Sequence, residues 1–459
     1  MDNTANEHMS AERKTRTAGE AGWRLSRYNL TADIPGTDRT AVANLYKANC
    51  VVFGPEELYL LSEAENLPED HPILGQFRMR GLIVDFDERE SLAKMGQEGK
   101  TENKHVFITV CTTMKCNFDC PYCFENHSGV DMSEKVQDDA AALAERMLKH
   151  FGAKSLNITW FGGEPLMNPE VIWKLTPRLR NLAEQCGAKY SANIFTNGSL
   201  LTQEILDRLK DCGVERAVIA IDGVGEAHDR TRHYKGGAGS FEHITHNLRT
   251  LRIPFPVSIR HLLTEDNTDQ MAPMEAFVKQ LRRESGNRLV YAPDTCGWNH
   301  ATDDRQGNVR HMEDERAAMI GIRRDMYRFV AARGRYCGAA TLASVSVDAR
   351  GELYSCWPEM DNREGRSFGT ARTWDPARPF ETAVRPELLR QYLDTAIPNG
   401  DEECWECQWL PFCVGGCPFK RINKEKECLP YKNSPEEYVL ALYRRMKAEE
   451  KARERSDTA

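Results

Sequence analysis

No stretch of this 459-residue chain is both long and apolar enough to cross a bilayer as a helix, so a membrane-spanning role is not expected. There is no basic excess. Lys and Arg total 61 against 69 Asp and Glu, and the net charge of −8 removes the electrostatic footprint of a nucleic-acid binder. The mixed-sign stretch from Arg444 to Arg455 reads as a solvated helix end, not a basic arm. Short internal repeats and low-complexity tracts are also lacking, which excludes solenoids and propellers. Met1 to Glu20 is polar and charged and holds no apolar segment of the kind that opens a signal peptide, so the expected compartment is a reducing cytoplasm. The remaining composition, 41% apolar and 28% charged, is that of an ordinary globular chain long enough for two or three domains.

Cysteine, by contrast, is plentiful: 15 residues, unevenly spread. In a reducing compartment clustered cysteines point to metal, not disulfides, and thiolate sets favour iron–sulfur or zinc over harder metals. Cys116, Cys120 and Cys123 are spaced C-x3-C-x2-C. Three thiolates on one loop can hold three irons of a four-iron cluster and leave the fourth open to a small molecule. A zinc knuckle or three unrelated core thiols are the bland alternatives. Cys337, Cys356, Cys404, Cys407, Cys413, Cys417 and Cys428 crowd the C-terminal quarter, and the block from Cys404 to Cys417 taken alone fits a zinc site equally well. Cys186 and Cys212 each end an apolar helical stripe before a glycine and read as core or cap-adjacent thiols. Cys50 and Cys111 read as buried, and Cys296 is ambiguous.

Between Val106 and Tyr291 apolar runs alternate with amphipathic helices. The strand candidates are 106–111, 156–160, 192–195, 217–221, 257–262 and 289–291. Asp131 and Glu134 predict a capping box for a helix whose apolar positions run Val136, Ala140, Leu143, Met147, Phe151, ending at Gly152. A second helix starts at Asn168-Pro169, with Pro177 expected to kink or divide it, and a third runs from Thr202 to Cys212-Gly213. Six such units predict an open, partial (β/α)6 barrel with its active site at the C-terminal strand ends. Gly162-Gly163-Glu164-Pro165, Thr196-Asn197-Gly198, Asp222-Gly223 and Arg260 fall at or near those ends. Paired glycines allow close backbone approach, and a carboxylate beside them can pair with an ammonium group.

The cysteine triplet, the aromatic Tyr122 before its last member and the Gly162–Pro165 motif together resemble the radical S-adenosylmethionine (SAM) enzymes. The resemblance implies a cluster at Cys116, Cys120 and Cys123 whose open iron chelates SAM and cleaves it to a 5′-deoxyadenosyl radical. It also implies SAM contacts at Tyr122, Gly162, Gly163, Glu164, Asn197, Asp222 and Arg260. The C-terminal cysteines, with Gly351 five residues before Cys356, resemble the SPASM extension of these enzymes. This implies one auxiliary cluster on Cys337, Cys356 and Cys417 and a second on Cys404, Cys407, Cys413 and Cys428. Two four-iron clusters take eight ligands, and the signature supplies seven. Either Cys296 or another residue fills the gap, or one iron stays open. Sulfatase maturases, which the pattern also resembles, carry an Asp base directly after the Gly-x4-Cys element. Here that position is Trp357, which counts against formylglycine formation.

The expected domains are a disordered tail at 1–21, an N-terminal α+β domain at 22–105, the partial barrel at 106–300, a helical linker at 301–335, the SPASM domain at 336–435 and a C-terminal helix or tail at 436–459. In the first domain 23–30, 50–53 and 81–85 read as strands and 56–65 as a helix. Peptide-modifying radical SAM enzymes often carry such an extension, which recognises the leader of a precursor peptide, with β-augmentation as the physical mode. A structural cover for the open barrel is the equal alternative. The resemblance as a whole implies a maturase that forms an intramolecular crosslink in a ribosomally made peptide, a Cys thioether first among the options. Its cofactors would be SAM and three iron–sulfur clusters, and its electron donor a flavodoxin or ferredoxin. Carbon–carbon or carbon–oxygen crosslinking and formylglycine formation are the enzymatic alternatives. An electron-transfer or zinc scaffold protein is the non-enzymatic one, and the Gly162–Pro165 motif argues against it.

Overall fold

The computed structural model describes residues 22–101, 103–263, 265–295, 337–361, 365–396, 398, 400–426, 428–429 and 431–457. The expected tail at 1–21, the linker at 301–335 and Cys296 lie outside these residues. The chain opens with β1 (Arg24–Leu25), then β2 (Asn29–Asp33), β3 (Thr40–Asn44) and β4 (Asn49–Phe53). Next come α1 (Pro55–Ser62), α2 (Pro72–Met79), β5 (Ile83–Val84) and α3 (Glu88–Thr101). β2, β3 and β4 form an antiparallel meander, while β1 pairs only with β5. The expected strand at 23–30 is therefore two strands broken by a turn. β3 went unread in the sequence because all five of its residues are buried, so the chain shows no alternation there.

The centre is six parallel strands: β6 (His105–Cys111), β7 (Ser155–Phe161), β8 (Lys189–Thr196), β9 (Val214–Ala220), β10 (Val257–Leu263) and β11 (Leu289–Thr295). The connecting helices are α4 (Glu134–Phe151), α5 (Glu170–Gln185), α6 (Gln203–Asp211), α7 (Glu226–Asp229), α8 (Phe241–Thr250) and α9 (Met271–Ser285). Two helix readings are corrected. Ser133, not Asp131, caps α4, its side chain accepting the Val136 amide; Asp131 is instead bound by Thr113 and Lys115. Pro177 lies within α5 without dividing it, because Val171, Ile172, Leu175, Leu179 and Ala183 bury one continuous stripe that outweighs the lost backbone bond.

Residues alternate along β7. Leu156, Ile158 and Trp160 are buried in one core with α4 and α5, while Asn157, Thr159 and Phe161 face the hollow side and stay half-exposed. In β8, Ser191, Asn193 and Phe195 repeat the pattern. The sheet also continues past β6. β12 (Ser344–Val347) runs parallel to β6, followed by antiparallel β13 (Glu352–Tyr354) and β14 (Gly369–Thr370). This is an α/β fold of radical SAM type around a central parallel sheet, as expected, and the C-terminal segment extends that sheet directly.

The remaining helices are α10 (Pro386–Leu393), α11 (Glu402–Glu406), α12 (Leu410–Cys413), α13 (Pro418–Ile422) and α14 (Pro435–Asp457). The first half of α14 is not a solvated tail. Tyr438, Val439 and Leu442 share a core with Tyr28, Leu30, Ala41, Ala43, Trp409 and Tyr431. The N-terminal meander is thus packed between α14 on one face and a second core of Phe53, Leu61, Leu74 and Phe77 on the other. No described helix is long and apolar enough to cross a membrane.

Candidate active site at the mouth of the parallel strands

The loop after β6 carries Cys116, Cys120 and Cys123, and three neighbours fix its shape. The end of β7 is the first. The Gly163 amide donates to the Thr113 carbonyl at 3.1 Å and the Glu164 amide to the Lys115 carbonyl at 2.8 Å. A Cβ on Gly163 would lie 2.4 Å from the Lys115 oxygen, and one on Gly162, at φ 140°, would lie 2.3 Å from the Thr113 oxygen. Both glycines are required for backbone to lie against backbone.

The end of β8 is the second neighbour. Asn197 Nδ2 donates to Asn117 Oδ1 at 2.8 Å, and Asn117 donates to Ser199 Oγ at 2.9 Å. The third is the segment after β9. The Asp119 amide donates to the His233 carbonyl and the Lys235 amide to the Asn117 carbonyl, while the Phe118 and Tyr234 rings meet edge-on at 4.9 Å. No sequence motif announced this clamp, because its bonds are made by backbone atoms.

The predicted SAM contacts fall in this scaffold. Glu164 is fully buried. Its Oε1 accepts the Leu166 amide and the Thr196 hydroxyl, and its Oε2 accepts the Asn197 amide at 2.7 Å. Burial pushes its carboxyl up to about 7. Oε2 has one protein donor, so a carboxylate there can still accept from an ammonium group. Asp222 is nearly saturated: Oδ2 accepts the Tyr122 hydroxyl and Arg232 Nε, and Oδ1 accepts the Leu262 amide. Tyr122 and Asp222 therefore meet each other. Arg260 pairs with Asp294 at 3.1 Å, half-exposed on the hollow side.

The thiols fall into three groups. Burial first, and then a nearby carboxyl (Glu164 for Cys116, Glu125 for Cys123) ahead of the Cys120 thiol, pushes Cys116 up to about 12 and Cys123 above its ordinary value. Glu125 lies beside them with its Oε2 unpartnered, its carboxyl pushed up to about 8 by burial and by Asp361. His127 Nε2 stands 3.4 Å from Cys123 Sγ. Neither residue was singled out in the sequence.

Burial, and then proximity to Cys337 and Cys417, holds the Cys356 thiol well above its ordinary value. Cys413 is pushed up to about 12 by burial and then by Cys407, Cys404 and Cys428. These last four thiols ring a pocket together with Trp409, Glu403, Lys426 and Lys432, both ammonium groups being paired with Glu403. Lys432 Nζ lies 3.9 Å from Cys428 Sγ. Among the described residues no three ligating side chains close on the single point that one tetrahedral ion requires. A soft four-thiol cradle around a cavity, with ammonium groups at its rim, fits an anionic iron–sulfur core. All the described cysteines are free thiols.

The Radical SAM superfamily model matches residues 110–277. An AdoMet-dependent heme synthase of Methanosarcina barkeri (strain Fusaro / DSM 804) is 29% identical over 172 residues, 37% of this chain and 46% of that protein. The sporulation killing factor maturation protein SkfB of Bacillus subtilis (strain 168) is 26% identical over 236 residues, 48% of this chain and 54% of that protein. The chain thus spans about half the length of these curated relatives. Among solved structures, native anSMEcpe with bound AdoMet and Cp18Cys peptide superposes with a TM-score of 0.54 at 18% identity, covering 74% of this chain and 96% of that one. Streptococcus suis SuiB bound to S-adenosylmethionine superposes with a TM-score of 0.50 at 14% identity, covering 90% of this chain and 98% of that one.

Proposed function

We propose, from the premise that residues 110–277 form a radical SAM domain, that this protein is a peptide maturase that breaks an inert C–H bond in a precursor peptide and closes a crosslink, a Cys thioether. The observation that carries the reading is the assembly of three separate thiol groups, one of them gathered from distant parts of the chain. A pure electron carrier has no use for the buried Glu164 site beside the first group.

Cys116, Cys120 and Cys123 hold the cluster that binds SAM. Cys337, Cys356 and Cys417 hold one auxiliary cluster, and Cys404, Cys407, Cys413 and Cys428 the other. When bound, SAM and its cluster supply a 5′-deoxyadenosyl radical. The protein's own share is position and electrostatics. Glu164 receives the SAM amine, Asn197 and Arg260 flank it, and the clamp after β9 keeps the cysteine loop in register. Trp357 stands where a formylglycine former has its base, and an indole accepts no proton there. Among the described residues the group of Cys337, Cys356 and Cys417 is one thiol short of a full set, and with Cys296 outside that group this suits capture of a substrate thiolate. The meander β2–β4, with β4 at its edge, offers a strand for a leader peptide.

Anaerobic purification with iron and zinc assay, followed by reduction with SAM, tests the reading. About twelve irons and release of 5′-deoxyadenosine that Cys120→Ala abolishes are expected. Stoichiometric zinc with little iron would refute it. For the crosslink, the product should be two hydrogens lighter than the precursor, with one thiol lost to iodoacetamide. The same mass loss with every Cys still alkylated points to a carbon–carbon or carbon–oxygen bond.

A further inference from the structure

Four aromatic rings line one side of the mouth of the parallel strands. Phe124 directly follows Cys123 on the loop, Phe161 ends β7, Phe195 lies one residue before the end of β8, and Trp357 directly follows Cys356. The ring centroids of Phe161 and Phe195 are each 5.0 Å from that of Trp357 and 5.8 Å from one another, and Phe124 stacks on Phe161 at 6.4 Å. All four are half-buried, so none is fully covered by the protein. The same strand ends also carry polar pairs, Glu164 with Thr196, Asp222 with Arg232 and Arg260 with Asp294. The polar groups suit a zwitterionic cofactor, whereas the four rings offer no acceptor and a single donor, the Trp357 indole N–H. A hydroxyl, amide N–H or ammonium placed there would be desolvated with no acceptor for its proton, whereas an apolar side chain would lose nothing. The wall also bridges the first thiol group, through Phe124, and the Cys356 group, through Trp357.

We propose that Phe124, Phe161, Phe195 and Trp357 form the receptor for the peptide residue whose C–H bond is broken, and that this residue carries a bulky apolar side chain, aromatic or branched aliphatic. The inference rests on the maturase reading above and adds the class of carbon attacked. The C–H bond breaks homolytically, and the hydrogen atom passes to the 5′ carbon, giving 5′-deoxyadenosine and a side-chain carbon radical. Trp357 thus replaces a base with a binding surface.

Two measurements on the reconstituted holoenzyme test it. Saturation-transfer NMR reads binding of N-acetylphenylalaninamide, N-acetylleucinamide and N-acetylserinamide. The first two should bind, the serine probe at least tenfold more weakly, and Trp357→Ala and Phe195→Ala should each weaken the apolar probes about tenfold, while Phe161→Leu retains them. In the second, tripeptides with a central perdeuterated Phe, Leu or Ser are mixed with SAM and dithionite, and deuterium in the released 5′-deoxyadenosine is read by mass spectrometry. Deuterium from Phe or Leu but not Ser supports the receptor. Equal transfer from Ser, transfer from none, or equal binding of all three probes overturns it while leaving radical chemistry standing. Absence of deoxyadenosine altogether removes the maturase reading and the proposal with it.

Discussion

Arg232 Nε lies 2.8 Å from Asp222 Oδ2, and the same carboxylate oxygen accepts the hydroxyl of Tyr122, one residue from Cys123. Asp222 and Arg232 are both largely buried, and the guanidinium lies 5.5 Å from the centre of the Tyr122 ring. The pair ties the end of β9 to the cysteine loop. It also places a permanent cation beside Cys120, whose thiol burial raises and Arg232 lowers.

Removing one member of such a buried pair leaves the other charge uncompensated, at a cost of roughly 3–5 kcal/mol. Asp222→Ala should therefore lower the unfolding midpoint in denaturant and reduce retention of the first cluster more than of the others. Electron paramagnetic resonance of the reduced protein separates the two effects. An unchanged signal with SAM-dependent line shape would show that Asp222 does not brace the loop.

Gly163→Ala should be more local. Its Cβ would meet the Lys115 carbonyl at 2.4 Å, a backbone atom that cannot turn aside as a side chain can. The loop should lose its register and the protein about four of roughly twelve irons, with SAM cleavage lost and secondary structure intact by circular dichroism. Full iron content with normal SAM cleavage would contradict this.

His228 sits wholly buried under Asp222, its Nδ1 accepting the Asp222 amide and its Nε2 bonded to Ser240. Burial holds the imidazole down to about 4, against an ordinary 6.5. Between these values the unfolded chain binds a proton that the folded one refuses, so stability falls as pH drops from about 6.5 to 4, by on the order of 3 kcal/mol. His228→Gln should flatten that part of the stability–pH curve, measured by urea unfolding at a series of pH values. A curve of unchanged slope would assign the acid sensitivity elsewhere.

The N-terminal domain and the four-thiol pocket share a core, so they should fail together. Tyr438→Ala removes a fully buried ring that meets Trp409 at 5.0 Å and Tyr431 at 5.2 Å, and a loss of about 3–5 kcal/mol is expected. The iron bound at Cys404, Cys407, Cys413 and Cys428 should become labile to chelator. The ion pairs that cross the same junction, Arg27 to Glu406 and Arg89 to Glu402, are largely exposed on the acidic side. Arg89→Ala should cost less than about 1 kcal/mol. Comparison of the two variants by thermal unfolding and iron release distinguishes a shared core from a charged contact.

The parallel strands and their helices were legible in the chain because their hydrophobic period is local. A run such as Ser155–Phe161 states its own conformation, and Gly152 marks a helix end within one turn, whereas the start of α4 was read at Asp131 and lies at Ser133. The cysteine groups were legible for a related reason: Cys116 to Cys123 and Cys404 to Cys417 are chemically distinctive and close in sequence. What the chain could not show was contact between distant segments. β3 hid because total burial erases alternation. The role of α14 hid because Tyr438 acquires its partners, Tyr28 and Leu30, only from the other end of the protein. Asp222 read as a cofactor contact, and only the fold brought Arg232 and Tyr122 to its carboxylate. The four rings around Trp357 come from four separate segments, and no local period relates them. Sequence by itself determined most of the parallel strands and their helices, since those depend on near neighbours. Tertiary structure alone decided which polar groups are already satisfied and which apolar faces remain open, because burial and hydrogen bonding are properties of the whole packed chain.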